Sequence, residues 1–367
     1  MADLLKNLYN KAFFDELCMI LEQNLDQFDK NLFLKLVYDG DWENRELKAR
    51  MKHLAIVLER FLPHNFSIAA KILERLIDSV KDSPLSECRL EFMFVTEYLE
   101  KHGIDHFDTT MDAMEFITQF TSCEFAVRPF IIRYKEKMMQ QMVNWSQNEN
   151  HHVRRLASEG CRPRLPWSMA LPDYIKDPSP VLPVLENLKD DPSEYVRRSV
   201  ANNLNDISKD NPEIVLDLAQ EWIGKNENRD KIVKHACRTL LKKGDVRALR
   251  IFGFLDPAEI EICNLRCDSA VRIGETLLFS FRLKQCGSKN RRLRIEYGID
   301  YVKSNGSTNR KIFQISEIEL DPGHFADFKR SRSFRNFTTR KHYPGRHTLV
   351  ILVNGRELAK SVFMLLE

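Results

Sequence analysis

The chain repeats one short helical pattern three times, and this repeat limits its possible folds more than any other feature. An apolar residue, a basic pair and a run of small residues occur at 153–157, 196–201 and 233–237, offset by 43 and 37 positions. Apolar helix ends precede the three copies: Met142 and Trp145, then Leu185 and Leu188, then Leu218 and Trp222. A helix pair that repeats about every 40 residues predicts a HEAT-like α-solenoid, whose curvature creates a concave face.

The basic pairs of the repeat indicate an anionic partner. They are Arg154-Arg155, Arg197-Arg198 and Lys234-His235. We expect each pair at the start of the second helix of its repeat, where backbone N–H groups and the helix dipole favour an anion. A curved stack with regularly spaced basic helix starts suits a phosphate backbone. An ion pair within the repeat is the alternative for a single arginine, but the recurrence favours phosphate contacts.

Composition argues against several classes of protein. With 367 residues the chain is long enough for two domains. No run approaches the ~20 apolar residues of a transmembrane helix, and the N-terminus lacks the pattern of a secretion signal. The eight cysteines are scattered without a Cys-x-x-Cys pair, which indicates reduced thiols rather than disulfides or a zinc site. We therefore expect a cytoplasmic protein.

Apolar spacing changes from helical to alternating near residue 255. Helix stops are expected at Pro63, 82–84, Gly103, 162–163, 177–180, 191–192, 211–212 and Gly244, and one apolar helical stripe comprises Leu47, Met51, Leu54, Ala55, Leu58 and Phe61. Residues 271–283 and 292–302 alternate as strands, and 347–363 form a hairpin with an Asn354-Gly355 turn. We predict a mainly α chain: a HEAT-like α-solenoid over residues 1–257, followed by an antiparallel β-sandwich of immunoglobulin type over residues 258–367.

Charge is divided unevenly between the two predicted domains. From residue 258 onward there are 20 basic and 12 acidic residues, a formal charge of +8, whereas the 36 basic and 41 acidic residues before it give −5. Basic residues of the predicted sandwich cluster at Arg291, Arg292 and Arg294 and at Lys329, Arg330 and Arg332. Such asymmetry points to an anionic polymer or surface, although a solvated basic face is the commoner explanation.

Two carboxylates of the helical part allow both a structural and a chemical interpretation. Glu124 follows Thr121 at the spacing of a capping box, in which it would bind only a backbone N–H. Alternatively, Glu124 faces the groove, stabilises a developing cation or positions a water. Asp206 lies near the C-terminal end of a helix, where its charge opposes the dipole and requires a partner. The structural alternative for Asp206 is a solvated polar face with local turn bonding, shared with Asn205.

Trp167 occupies a loop that is braced by Pro163 and Pro166 and carries Arg162 and Arg164. Most tryptophans belong to a core. On a stiff basic loop, however, a tryptophan serves equally well as a stacking surface, and its face attracts a cation by ~0.5–2 kcal/mol.

Four stretches of the helical part resemble the AlkC branch of bacterial HEAT-like-repeat alkylpurine DNA glycosylases. They are Leu47-Lys-Ala-Arg-Met-Lys-His-Leu-Ala, Thr121-Ser-Cys-Glu-Phe-Ala-Val-Arg-Pro-Phe, Val153-Arg-Arg-Leu-Ala-Ser-Glu-Gly-Cys-Arg-Pro-Arg-Leu-Pro-Trp and Tyr195-Val-Arg-Arg-Ser-Val-Ala-Asn-Asn-Leu-Asn-Asp-Ile-Ser-Lys-Asp. The resemblance covers most of residues 1–255. The C-terminal part is similar to the immunoglobulin-like extension of some members, which helps enclose the DNA.

This resemblance implies a role in base excision repair, at the nucleoid of a bacterial cell. The implied reaction is hydrolysis of the N-glycosidic bond of purines alkylated at a ring nitrogen, chiefly N3-methyladenine, in duplex DNA. Glu124 and Asp206 match the catalytic carboxylates, Trp167 the aromatic contact beside the lesion, and Arg155 a position near lesion and backbone. Together with the basic pairs, it places DNA contacts at Arg154, Arg164, Arg197, Arg198, Asn202 and Asn203, and in the sandwich at Arg291, Arg292, Arg294, Lys329, Arg330 and Arg332.

The chemistry agrees with that reaction. Alkylation makes the purine cationic and a good leaving group, so one carboxylate stabilises the oxocarbenium-like sugar while the other holds the attacking water. No metal or organic cofactor is needed, and no lysine stands out as a Schiff-base nucleophile, so we expect a monofunctional glycosylase. The expected partner is double-stranded DNA containing alkylated purines, bound by a monomer without a membrane. Phe334 or Phe337 either wedges near the minor groove or packs in the core.

Two other classes of function stay open. HEAT solenoids commonly serve as non-catalytic scaffolds for proteins, and a non-catalytic protein that recognises DNA shape would share the salt-dependent affinity but release no base. A metal site is disfavoured, because His151 and His152 are adjacent and Gly103 interrupts the helix between His102 and His106.

Overall fold

The computed structural model describes residues 4–336 and 341–367. Within these residues, fifteen α-helices precede eight β-strands. The helices are α1 (Lys11–Asn24), α2 (Lys30–Val37), α3 (Leu47–Glu59), α4 (Phe66–Lys81), α5 (Met93–Gly103), α6 (Phe107–Ile117), α7 (Val127–Trp145), α8 (His151–Gly160), α9 (Pro172–Lys176), α10 (Leu182–Leu188), α11 (Glu194–Ile207), α12 (Pro212–Trp222), α13 (Glu227–Ala236), α14 (Arg238–Lys243) and α15 (Val246–Ile251). The strands are β1 (Ile260–Cys267), β2 (Ala270–Arg272), β3 (Thr276–Gln285), β4 (Arg291–Val302), β5 (Thr308–Leu320), β6 (Phe325–Ser333), β7 (Gly345–Val353) and β8 (Arg356–Leu366).

Local sequence signals set the ends of the helices. Asn10, Asn65 and Asn150 accept a hydrogen bond from a backbone N–H in the first turn of α1, α4 and α8, as N-cap residues do. Gly244 ends α14 with a left-handed φ of 72°, which glycine adopts without a steric penalty. Every predicted helix stop falls between two helices or at a helix end. Five of the six residues of the predicted apolar stripe are buried in α3, and the sixth, Phe61, lies beyond the end of this helix and is partly buried. These predictions are confirmed.

Helices of the repeat stack on their neighbours as predicted. The second helices of the three repeats are α8, α11 and α13, and α11 packs against both of the others. The apolar residues at the ends of the first helices, such as Trp145 of α7 and Leu188 of α10, are buried beneath them. A stack of helix pairs with buried interfaces is the HEAT-like arrangement that the repeat predicts.

The position predicted for the third basic pair was wrong. Lys234 and His235 lie in the last turn of α13 and not in its first. Asn226 accepts a hydrogen bond from the Arg229 N–H at 2.9 Å, and this cap starts the helix at Glu227. A basic pair at a helix C-terminus is favoured by the dipole but does not adjoin free N–H groups, so the third copy offers no anion site of the expected kind.

The described chain divides into two compact units. The first, here called the solenoid unit, extends to Asn211 and includes Gly224–Ala236; the second, here called the sheet unit, holds Pro212–Ile223 and Cys237–Glu367. Helices give way to strands between Ile251 and Ile260, near the boundary predicted after residue 257. That boundary stays a prediction, because α12, α14 and α15 group with the strands.

Two sheets form the sandwich of the sheet unit. One has the strand order β1-β3-β6 and the other β2-β8-β7-β4-β5. Alternate residues of β3, among them Leu277, Phe279 and Phe281, face a core that also contains Ile299 of β4 and Phe363 of β8. This inward alternation is the packing expected of a sandwich, and the predicted fold class, a helical solenoid followed by an immunoglobulin-like sandwich, is confirmed.

The prediction of a single strand over residues 271–283 was wrong. Gly274, with a φ of 99°, breaks this stretch into β2 and β3, which belong to different sheets. β2 pairs with β8 in parallel, so the sandwich is not purely antiparallel. A glycine inside an alternating run often marks such a bend.

The last hairpin has the predicted turn. Asn354 and Gly355 both have positive φ, 47° and 76°, as a type I′ turn requires. The Asn354 side chain donates hydrogen bonds to the carbonyls of Leu255 and Arg292 at 2.7 and 3.2 Å, and it accepts one from the Arg294 N–H at 2.7 Å. A Cβ atom on Gly355 would lie 2.7 Å from the Gly244 Cα. The turn is therefore closely packed against the end of α14.

Phe334 is fully buried in the sandwich core, so its core role holds and the wedge role is wrong. Phe337 lies outside the described residues. In the part of the chain that the structure describes, no helix combines the length and apolar character needed to cross a membrane.

Candidate functional site

Glu124 lies in the turn that leads into α7 and is not part of a helix cap. The helix begins at Val127, and the hydroxyl of Thr121 donates to the Arg89 carbonyl at 2.6 Å. The Glu124 carboxylate instead accepts a hydrogen bond from the Ser122 hydroxyl at 2.8 Å and pairs with Arg155. The capping-box interpretation was therefore wrong, because the turn extends further along the chain than the four-residue spacing implies.

Arg155 is held between two carboxylates. Its guanidinium pairs with Glu124 and lies 3.6 Å from the Glu159 carboxylate. It also donates to the Ser122 hydroxyl at 2.8 Å and stacks 5.1 Å from the ring centroid of Tyr195. Burial by itself would lower the pKa of Arg155, but the two carboxylates outweigh it and raise that pKa above its ordinary value.

Asp206 has the partners that its position at the end of α11 requires. The aspartate is 2% exposed. One carboxylate oxygen accepts from Nε of Arg162 at 2.8 Å, and the other pairs with Nζ of Lys209 at 2.8 Å. Since both oxygens are bonded and the residue is buried, the interpretation of Asp206 as part of a solvated polar face was wrong; Asn205 is buried too and donates to the Ala236 carbonyl.

These groups form one continuous network, here called the buried ion chain: Glu124, Arg155, Glu159, Arg162, Asp206 and Lys209. Its centre, Glu159, Arg162 and Asp206, is buried, whereas Glu124 and Arg155 are partly buried and Lys209 is exposed. Glu159 is its central member, because the same carboxylate oxygen lies 2.6 Å from Nη1 of Arg162 and 3.6 Å from Nη2 of Arg155. Its second oxygen accepts from the Ser199 hydroxyl at 2.7 Å. Removing one partner from such a buried network typically costs ~3–5 kcal/mol, because an uncompensated charge remains.

Asn203 lies beneath the surface, next to α8, and does not face solvent. It is fully buried and donates to the Ser158 carbonyl at 2.8 Å. The predicted DNA contact at Asn203 was therefore wrong. Asn202, which precedes it, is only partly buried and bonds with His235 of α13 at 2.8 Å.

Trp167 is displayed on a loop that other residues hold in place. The residue is 59% exposed and its φ is 66°. Arg128, fully buried, donates to the carbonyls of Gly160, Arg162 and Met169 at 2.9, 2.8 and 2.7 Å. Burial lowers the pKa of Arg128 to about 10.

A cavity of about 210 Å³ opens beside Glu124 and Arg155. Arg89, His152 and Tyr195 contribute to its wall. Burial, reinforced by the positive charges of His151, Arg89 and Arg155, lowers the pKa of His152 to about 4. At neutral pH the cavity therefore combines a neutral imidazole and an aromatic ring with the exposed cation of Arg89.

Two family models match the chain. A family model described as DNA alkylation repair enzyme matches residues 51–240, and one described as the C-terminal Ig-like domain of the uncharacterised protein YhaZ matches residues 261–367. The chain belongs to the DNA alkylation repair enzyme family.

Two relatives of this DNA alkylation repair protein match almost all of it. YhaZ of Bacillus subtilis (strain 168) is 42% identical over 356 residues, which are 97% of each chain. The Pseudomonas fluorescens alkylpurine DNA glycosylase AlkC, bound to DNA containing an abasic site analog, has 36% identity and a TM-score of 0.93 over 100% of both chains. The AlkC-type architecture with an immunoglobulin-like C-terminal domain is therefore confirmed.

The arginines predicted to contact DNA from the solenoid unit of the repair protein fall into two groups. Arg154 binds Asp191 through two nitrogens, and Arg197 donates to the carbonyls of Asp191 and Pro192. Both are occupied within the repeat, and the Arg154 side chain is mostly buried. Their contacts with DNA stay predictions. Arg198 is exposed beside Glu194. Arg164 is part of a surface pair with Asp210.

The basic residues predicted in the sandwich also differ in their surroundings. Arg294 is 3% exposed and pairs with Glu296 and Glu317, so its prediction as a DNA contact was wrong. Arg291 pairs with Glu259, Arg292 stacks on Phe254, and Arg332 stacks on Phe313. Lys329 and Arg330 are exposed on β6. These two side chains satisfy best the accessibility that a phosphate contact requires.

Sequence reasoning missed four residues that build the site: Lys48, Arg128, Glu159 and Arg162. All four lie inside the stretches that carry the resemblance. No local spacing reveals the partners of Lys48 and Arg128, or the pair of Arg162 with Asp206. Glu159, in contrast, lies at helical spacing from both Arg155 and Arg162. A second signal was Asp206, whose unfavourable position required a cation. Arg162, 44 positions away, supplies it.

Proposed function

We propose that this protein is a DNA glycosylase of alkylation repair that hydrolyses the N-glycosidic bond of cationic N-alkylated purines, chiefly N3-methyladenine, in duplex DNA. The observation that carries the proposal is the buried ion chain, which ties Glu124 and Asp206 to one rigid network in a chain of the DNA alkylation repair enzyme family. The glycosylase AlkC, with 36% identity, supports the reaction class.

The proposed chemistry uses these carboxylates without a covalent enzyme intermediate. The glycosidic bond breaks, its electron pair leaves with the alkylated purine, and the purine loses its positive charge. A carboxylate stabilises the oxocarbenium-like sugar, and water adds to the anomeric carbon with loss of its proton. Preorganised ion pairs suit this task, because groups that are already fixed need no reorganisation as charge develops.

The two carboxylates differ in access. Glu124 borders the 210 Å³ cavity, so it can approach a bound sugar or hold a water. The Oδ1 oxygen of Asp206 pairs with Lys209, whose side chain is partly exposed. Transfer of the Lys209 ammonium to a DNA phosphate would uncover that oxygen. The exposed face of Trp167 would contact the lesion and favour a cationic over a neutral base.

The experiment that tests the proposal is release of N3-methyladenine from methylated duplex DNA. Glu124→Gln and Asp206→Asn should each lower the rate by ~10-fold or more, equivalent to ~1.4 kcal/mol or more in the barrier, with DNA binding nearly retained. Asp217→Asn is the matched control, because Asp217 of α12 also pairs with an arginine, Arg247, but at the surface. Its release rate should equal that of the wild type.

Circular dichroism of each variant separates a defect in chemistry from a defect in folding. Undiminished release by both carboxylate variants would move catalysis to other residues. Absence of release by the wild type would return the protein to the non-catalytic classes, a HEAT-repeat scaffold or a DNA-shape-binding protein. Intact DNA after release, cleaved only by later alkali, is the expected result for a monofunctional enzyme.

A further inference from the structure

Trp167 combines an exposed side chain with an unfavourable backbone conformation. Its indole is largely exposed, whereas the other three tryptophans, Trp42, Trp145 and Trp222, are at most 3% exposed. Its φ of 66° lies in the left-handed region, which is sterically unfavourable for a bulky residue. Such a conformation persists only where surrounding contacts enforce it.

Arg128 fixes the two ends of the Trp167 loop but not its centre. Its hydrogen bonds go to carbonyls at residues 160, 162 and 169. The Leu171 N–H adds a hydrogen bond to the Pro163 carbonyl at 3.0 Å, which closes the loop. A long hydrogen bond from the Ser168 N–H to the Leu165 carbonyl, 3.4 Å, crosses the centre of the loop. None of these bonds is made by the N–H or the carbonyl of Trp167.

Lys48 of α3 makes the contact to Trp167. Its ammonium donates a hydrogen bond to the Trp167 carbonyl oxygen, 119 positions along the chain. The same ammonium lies 4.7 Å from the ring centroid of Phe125, the residue after Glu124. Lys48 therefore joins the tryptophan loop to the turn that carries Glu124, both within the solenoid unit.

Two carboxylates of α5, Glu97 and Glu100, interact electrostatically with Lys48. Burial, together with the neighbouring carboxylate of Glu97, raises the pKa of Glu100 to about 7, while the positive charges of Lys52 and Lys48 oppose that rise. Lys52 lies one turn after Lys48 on α3 and interacts with the same two carboxylates. Lys52 thus shares the electrostatic surroundings of Lys48, but its side chain is exposed.

We propose that Lys48 is the positioning residue for Trp167: its hydrogen bond to the Trp167 carbonyl holds the backbone in the conformation that presents the indole to the alkylated base. The role at the lesion rests on the proposed function, whereas the hold on the indole does not. Lys48 acts through the tryptophan and touches no reacting atom. Loss of its ammonium should therefore lower the efficiency of base release, although both carboxylates remain.

The tryptophan itself allows a direct measurement. Because Trp167 is the exposed tryptophan, the difference in acrylamide quenching between the wild type and Trp167→Phe isolates its fluorescence. In the Lys48→Met variant, the quenching constant of this component should change by ~1.5-fold or more, as the released backbone moves the indole. Lys48→Arg, which keeps a donor for the carbonyl, should restore the wild-type value, and Lys52→Met should leave it unchanged.

Base release provides the second measurement. Lys48→Met should lower kcat/KM for N3-methyladenine release by ~5- to 20-fold, mostly through KM, because the carboxylates remain. In a Trp167→Ala background the same substitution should have little further effect, since two residues that act as a unit are not additive. Lys48→Gln serves as a second variant that retains a polar side chain.

The two measurements separate the two hypotheses. Unchanged quenching in Lys48→Met, which has no donor for the carbonyl, would overturn the positioning role, whatever the activity. Losses of activity in Lys48→Met and Trp167→Ala that simply add would also overturn it. A wild type that releases no base would overturn the proposed function, while the quenching measurement would still decide whether Lys48 holds the tryptophan.

Discussion

Arg162 joins two buried carboxylates that come from different helices, Glu159 of α8 and Asp206 of α11. Each carboxylate retains a second partner, Ser199 for Glu159 and Lys209 for Asp206. The arginine nevertheless supplies the charge that the buried oxygens share. A buried pair of this kind adds little net stability compared with apolar side chains. Its main effect is to hold the network in the single conformation in which every charged group is bonded.

Replacement of Arg162 tests this view. Arg162→Met leaves two buried carboxylates with insufficient positive charge and should lower the free energy of unfolding by ~3–5 kcal/mol. The matched control is Arg164→Met, two positions later, whose pair with Asp210 lies at the surface and is screened by water. Urea unfolding followed by circular dichroism should show a large shift for Arg162→Met and almost none for Arg164→Met. Equal shifts would contradict the asymmetry between the two pairs.

Which parts of the site could be predicted depended on the range of each contact. Glu124, Arg155 and Asp206, singled out in the sequence, are members of one network in the fold, although their catalytic role stays a prediction. The capping interpretation of Glu124 was wrong because Thr-x-x-Glu describes a spacing and not the start of a helix. The contacts of Lys48 with Trp167 and of Arg162 with Asp206 were not predicted, since they span 119 and 44 positions.

At the scale of helices and strands, boundaries that depend on local chemistry were predictable. Asparagine caps, prolines and the glycine at 244 act within a few residues, so they mark helix ends in the sequence. The break at Gly274 was missed because alternation continues on both sides of it. Only the pairing of β2 with β8, far along the chain, shows that the two halves belong to different sheets.

The contact between α14 and the last hairpin can be tested at one glycine. Gly355→Ala would place a methyl 2.7 Å from the Gly244 Cα and 2.9 Å from Leu249 Cδ1, at a φ of 76°. Gly306→Ala has nearly the same φ, 79°, with no atom of the described structure within 4 Å of the new methyl. It should cost only the backbone term of ~1–2 kcal/mol.

Gly355→Ala should cost ~1–3 kcal/mol more than Gly306→Ala, because it adds overpacking to the same backbone strain. Thermal unfolding of the two variants measures the difference. Equal melting temperatures would show that the hairpin can move away from α14 without cost.

Across the whole molecule, charge is the property most directly linked to the proposed substrate. The strand-containing part carries a formal charge of +8 and the remainder −5. Burial removes Arg294 from any contact with a polyanion, and ion pairs occupy others. Exposure therefore concentrates the expected phosphate contacts of the sheet unit on a few side chains, with Lys329 and Arg330 foremost.

The salt dependence of DNA binding measures these contacts. The slope of log K against log salt changes by ~0.9 for each phosphate contact that a substitution removes, so Lys329→Gln/Arg330→Gln should reduce it by ~2. Lys71→Gln/Lys81→Gln removes the same charge from α4, where both lysines pair with carboxylates of their own helix, and should leave the slope unchanged. Fluorescence anisotropy with a methylated duplex between ~50 and ~200 mM salt measures both. Equal slopes for wild type and both variants would exclude β6 from the DNA interface.

The turn at Asn354-Gly355 has a consequence for how this protein ages. An asparagine followed by glycine is chemically unstable, because the glycine nitrogen can attack the side-chain amide, close a succinimide ring and release ammonia. Here three hydrogen bonds fix the Asn354 amide, with donors directed to the carbonyls of Leu255 and Arg292. An aspartate formed at this position could not donate to them. We therefore expect deamidation in molecules whose last hairpin has opened, so that an aspartate or isoaspartate at 354 would record past unfolding.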